Sequence, residues 1–144
     1  MKKYIALIIA MFSVCLLITG CGGAPKGTDS EVKETVIEIA KEQMLRFMMM
    51  NTYLRGLTIA EAEQKAQKDP SVRKVLDEQK AELAKMKLEL VNIRVTKIDD
   101  KLKKSTNAAD LQLEYKGETN KTPITYTAQL NDKGEVYVEV FGLQ

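Results

Sequence analysis

Near Glu89 the apolar spacing of this chain changes from about 3.6 residues to about 2, and that change forces helices and strands into separate halves of the sequence. Ahead of it, Val32, Val36, Ile39, Ala40, Gln43, Met44 and Phe47 recur at three and four, which predicts a helix from about Ser30 to Met50. Thr28 and Glu31 have capping-box spacing at its start. Gly56 is a natural stop, and Thr58 with Glu61 repeats the capping-box spacing before an alanine-rich helix ending near Lys68. Asp69 and Pro70 supply a cap and a first helical residue for a third helix, striped by Val72, Val75, Leu76, Gln79, Leu83, Met86 and Leu90.

Beyond Glu89, Val91, Ile93 and Val95 alternate with Asn92, Arg94 and Thr96, the pattern of a half-buried strand. A lysine-rich loop is expected from Asp99 to Asn107. Ala109, Leu111, Leu113 and Tyr115 then mark a second strand, and Ile124, Tyr126, Ala128 and Leu130 a third. Asn131 to Gly134 is turn chemistry leading into Val136, Val138 and Val140. Sequential strands joined by short turns predict a meander, and one apolar sheet face needs a cover. The expected fold is therefore α+β, with N-terminal helices packed on a four-stranded antiparallel meander sheet. This order of elements, over about residues 30 to 141, resembles the cystatin-like and nuclear-transport-factor-like domains of many small bacterial lipoproteins.

The N-terminus carries its own signal. Lys2 and Lys3 precede about 16 mostly apolar residues, Tyr4 to Thr19, shorter than the roughly 20 that span a bilayer as a helix. Ile18-Thr19-Gly20-Cys21 closes the run and resembles the lipobox of bacterial lipoproteins. The resemblance implies cleavage between Gly20 and Cys21, a diacylglycerol on the Cys21 sulfur and acylation of the new N-terminus. The other interpretations of this stretch are an ordinary secretory signal that leaves Cys21 as a free thiol, and an uncleaved anchor helix. The expected organisation is a signal peptide over residues 1–20, a lipidated flexible tether over 21–29, rich in small residues, and a single domain over 30–144. Gly22 stands where an Asp would argue for inner-membrane retention, so in a host with two membranes the expected address is the outer membrane, facing the periplasm.

Cleavage also changes the charge and the chemistry available. The chain has 22 basic and 20 acidic residues, and the signal removes Lys2 and Lys3 but no acid, leaving a formally neutral domain. Its balance therefore argues for no nucleic-acid partner. Cys15 leaves with the signal, and the chain contains no histidine. Imidazole-based nucleophilic catalysis, imidazole metal sites and thiolate chemistry are thereby excluded, and no phosphate-cradling glycine motif is present. Asp99-Asp100 suits a strand end better than an acid–base pair, and Asn131 to Glu135 suits a hairpin turn better than a calcium loop. Met44, Met48, Met49 and Met50 could supply thioethers to Cu(I), but their spacing beside Phe47 suits a pliable apolar helix face. No enzyme activity, no metal and no cofactor beyond the lipid on Cys21 are expected.

What remains is an excess of apolar side chains. Phe47, Met48, Met49, Met50, Tyr53, Leu54 and Leu57 crowd the end of helix one, more than a single buried face accommodates. They are the expected surface for a partner or the lining of a pocket, unless helix two and the sheet cover them all. Two functions follow: a non-enzymatic interaction module for another envelope protein, or a module that holds a small apolar ligand between sheet and helices. Both depend on the membrane anchor. Cys21→Ser is expected to move the protein from the membrane fraction to the soluble one and to abolish palmitate incorporation; unchanged fractionation would remove the lipid anchor from consideration.

Overall fold

The computed structural model describes residues 23–143. The expected cleavage after Gly20 and lipidation of Cys21 lie outside the described residues. Three helices, α1 (Ser30–Met50), α2 (Ile59–Ala66) and α3 (Pro70–Ala84), precede four strands, β1 (Lys87–Asp99), β2 (Lys104–Tyr115), β3 (Glu118–Leu130) and β4 (Val136–Phe141). The strands pair antiparallel in the order β1-β2-β3-β4, so the architecture is the expected α+β meander.

The helix ends follow local chemistry, and α1 spans the expected Ser30 to Met50; the departures from expectation are at the start of α1 and the end of α3. The N-cap of α1 is Asp29, not Thr28, and no side chain caps the helix; the Asp29 carboxylate instead accepts the Lys26 amide at 2.8 Å. At the other end the helix stops at Met50, six residues before Gly56. Thr52 Oγ1 donates to the Met49 carbonyl and Arg55 Nε to the Met50 carbonyl, so the orphan acceptors of the last turn are satisfied without glycine. The capping box of α2 forms in both directions between Thr58 and Glu61, and the hydrogen bonds from Thr58 hold the Glu61 carboxyl below its ordinary range. Asp69 accepts the Ser71 and Val72 amides ahead of α3, with Pro70 at its first turn. The third helix ends at Ala84, so Leu90, part of the expected helical stripe, is a strand residue.

Strand β1 is where alternation misleads. Leu88 and Leu90 pair with Leu113 and Leu111 and face the core. Asn92 then adopts φ 55, Asn92 and Ile93 together oppose Ala109 in a bulge, and the Asn92 amide donates to Asp110 at 2.7 Å. The inserted residue exchanges the two faces. Ile93 still packs against the core, but Val95, expected inside, is exposed, because none of the described helices lies over this half of the edge strand. Strand β2 also starts earlier than expected, at Lys104, and turns Ser105 and Asn107 inward instead of leaving them in a loop.

Those two buried polar residues hold the chain ahead of α1. Ser105 Oγ donates to the Pro25 carbonyl, Asn107 Nδ2 donates to Ser105 Oγ at 3.0 Å, and the Tyr126 hydroxyl donates to the Gly27 carbonyl at 2.9 Å. Burial pushes the Tyr126 phenol up to about 12, so it remains a neutral donor across the physiological range. Pro25 and Gly27 are themselves buried. The segment expected to be a free tether up to residue 29 is thus seated on the sheet from Pro25 onward.

Two cores result. Val32, Val36 and Ala40 of α1 pack on Leu90, Ala109, Leu111, Ile124, Tyr126, Ala128 and Val138 of the sheet. Leu45 and Met49, on another face of the same helix, pack with Leu54, Ala62, Ala66, Val72 and Leu76. Of the three helices only α1 therefore covers the sheet; α2 and α3 pack on the second half of α1, linked to one another by Lys80 and Glu63 at 2.7 Å. A Cβ on Gly27 would fall 2.5 Å from Asn107 Oδ1 and 2.8 Å from the Tyr126 hydroxyl, whereas one on Gly23 would meet nothing. Gly27→Ala should therefore cost about 1–3 kcal/mol of stability, and Gly23→Ala close to none, measured by urea unfolding.

Candidate functional site

On one sheet face, Leu88 lies opposite Leu113, and Leu111 opposite Thr122. Above this row runs the continuation of the α1 stripe, Ala40, Gln43, Met44, Phe47 and Met48, one side of the helix at spacings of three and four. Nearer its start the same stripe rests directly on the sheet through Val32 and Val36. Further along, the helix is drawn to α2 and α3 through Leu45 and Met49, and the stripe and the sheet no longer meet. The space between them is a groove of about 540 Å³, with Met86 and Leu143 also in its lining. Its lining contains no charged side chain, and Gln43 and Thr122 are its polar side chains.

The apolar cluster at the end of α1 divides three ways. Met49 and Leu54 are fully buried in the helical core, with Leu57 packed against it. Met48 and Phe47 line the groove, Phe47 being 64% exposed at its rim. Met50 and Tyr53, 53% and 60% exposed, stand outside both. Desolvation, then Asp69 and Glu78, raise the Tyr53 phenol above its ordinary value. The four methionines considered for copper are distributed over these environments: Met44 and Met48 in the groove, Met49 in the core and Met50 in solvent.

Sequence patterning did not single out the floor of the groove. Leu88, Leu111 and Leu113 look like any inward-facing strand residues, because spacing reports the face and not the distance to what lies above it, and Leu143 follows the last strand. The other candidates are turns. Asp99 Oδ1 accepts the Lys101 and Leu102 amides at 3.1 and 3.0 Å. Asn131 Oδ1 accepts the Lys133 and Glu135 amides, closing a hairpin turn at Gly134. Glu82, held below its ordinary range first by its hydrogen bond to Lys85, ties α3 to Tyr115 and Lys116 at the β2–β3 turn. Among the described residues no three His, Cys, Asp or Glu side chains are placed to hold a metal ion, and no helix is long and apolar enough to cross a membrane.

Comparison with protein-family profiles, with curated proteins and with solved structures finds no match to this chain. The site's geometry therefore stands on its own residues. The division of the cluster sets the expected mutational pattern: Leu54→Ala and Met49→Ala should each lose about 2–5 kcal/mol, while Tyr53→Ser and Met50→Ser should stay within about 0.5 kcal/mol of the parent. Equilibrium urea unfolding of the four variants separates the core members from the surface ones.

Proposed function

We propose that this chain is a lipid-anchored, non-enzymatic binding protein of the cell envelope that holds an elongated apolar molecule, such as an acyl chain, in the groove between α1 and the sheet. The observation that carries it is the groove itself, whose volume falls in the range of small-molecule sites and whose walls are Met44, Phe47, Met48, Leu88, Leu111 and Leu113. Two methionines give the walls adaptable shape, which suits a flexible chain better than a rigid polycycle. With no charged group in the lining, a charged headgroup would remain in water at the mouth. The lipobox residues Ile18 to Cys21 support an anchor at a membrane, where molecules of this chemistry are abundant. In a host with two membranes, Gly22 favours the outer one.

A second function is favoured by a separate observation. Met50 and Tyr53 lie exposed beside Phe47, forming an apolar surface at the end of α1 that suits contact with another envelope protein. The two functions use different faces and are separable. Native mass spectrometry of the purified lipidated protein is expected to show a carried apolar molecule, and a fluorescent fatty acid is expected to bind saturably. Met48→Glu should weaken that binding about tenfold or more by placing a charge on the apolar wall, with an unchanged circular dichroism spectrum. Absence of saturable binding, or equal binding by the variant, would overturn the groove's role. Site-specific crosslinking from Tyr53 to a defined envelope protein would instead support the contact surface.

A further inference from the structure

The seated N-terminal segment determines which end of the domain meets the membrane. Pro25 is held by Ser105, the second residue of β2. Cys21 stands four positions before it, so the backbone of the lipidated residue lies within about 14 Å of that point even if the segment is fully extended. Strand β2, with 12 residues, is about 40 Å long. A lipid on Cys21 therefore brings the Ser105 end of the sheet to the bilayer surface and leaves the α2–α3 end far from it.

That end is built unlike the rest of the surface. The β1–β2 hairpin tip, residues 97–104, reads Lys-Ile-Asp-Asp-Lys-Leu-Lys-Lys. Leu102 is 58% exposed at its apex, and Ile98 is 55% exposed next to Ser105 in the register. Lys97, Lys101 and Lys103 are exposed around them, and Lys26 and Lys133 are exposed on the neighbouring segments. Within residues 97–104 the four lysines outnumber the two aspartates, Asp99 and Asp100, whereas on the neighbouring segments Lys26 and Lys133 are offset by Asp29, Asp132, Glu135 and Glu139, the last facing Lys104 at 3.9 Å. Asp100 and Asp132 are exposed. The strand backbone is held at this tip too, since the Leu130 amide donates to the Lys103 carbonyl.

We propose that the β1–β2 hairpin tip is a bilayer-contact surface for anionic lipid, with Leu102 and Ile98 entering the headgroup region and Lys97, Lys101 and Lys103 meeting lipid phosphates. This rests on acylation of Cys21. Three acyl chains anchor well without help, so the tip contributes orientation rather than affinity: it holds the sheet upright and turns the groove, some 20 Å along the strands from Ser105, away from the bilayer.

The test uses the full lipidated chain in vesicles of phosphatidylethanolamine and phosphatidylglycerol, with an environment-sensitive fluorophore on Leu102→Cys or, as a distal control, on Gln64→Cys in α2. The Leu102 probe is expected to shift to the blue and to be quenched by aqueous iodide about threefold less than the Gln64 probe. Lys97→Glu, Lys101→Glu and Lys103→Glu together should return it to the Gln64 value while the protein still sediments with the vesicles. An acylated, vesicle-bound protein whose two probes quench alike overturns the tip contact alone. A protein with no acyl mass on Cys21 overturns the anchor, and the orientation with it.

Discussion

Helix α1 is shared between two hydrophobic cores, and the rest of the molecule follows from that. Its Val32, Val36 and Ala40 are buried on the sheet, and its Leu45 and Met49 are buried against α2 and α3. Each fully buried aliphatic side chain of this kind contributes about 1.5–3 kcal/mol, so neither half of the helix can leave its partner without a large loss. A helix of 21 residues, about 30 Å long, that is held by both partners leaves Met44, Phe47 and Met48, toward its C-terminal end, lining a groove above the sheet. The groove is the space that this geometry leaves between them.

The same helix also begins from a fixed point. Pro25 and Gly27 are tied to Ser105 and Tyr126 by hydrogen bonds from inside the sheet, and Gly27 fits only because it lacks a side chain. Asn107 Oδ1 beside Gly27 is left without a partner among the described residues, while the buried Ser105 and Tyr126 hydroxyls are tolerated because they are paired. Here they join the start of α1 to the second and third strands, so the orientation of the helix on the sheet is held at its N-terminus and again at its far end. The groove lies toward one end of the sheet and the seated N-terminal segment at the other.

Much of the architecture was legible before any coordinates. The span of α1, the Thr58–Glu61 capping box, Asp69-Pro70 ahead of α3 and the four-strand meander all come from local rules: apolar period, cap chemistry and turn residues. The errors share a cause. Leu90 fits a helical stripe and a strand face equally well, since residues spaced by three or four also permit alternation over a short run. The bulge at Asn92 exchanges the faces of β1 without any change in composition, and Val95, opposite the buried Asn107, is exposed for want of cover. Ser105 and Asn107 look like loop residues because their partners, the carbonyl of Pro25 and each other, are either about eighty positions away or visible only once both face inward.

For the candidate site the division is sharper. Composition alone marks Phe47 to Leu57 as carrying more apolar surface than one helix face buries, and it removes imidazole and thiol chemistry from the folded domain. Which members are core, which line a groove and which face solvent depends on the crossing of α1 over the sheet, a distance between elements and not a property of either. The sequence by itself determined the elements, their order and the chemistry they lack, because those are set by neighbours a few residues apart. Tertiary structure alone decided that the N-terminal segment is seated, that α2 and α3 leave the sheet uncovered and that a groove opens beneath Met44 and Met48, because each depends on how far apart two packed surfaces are held.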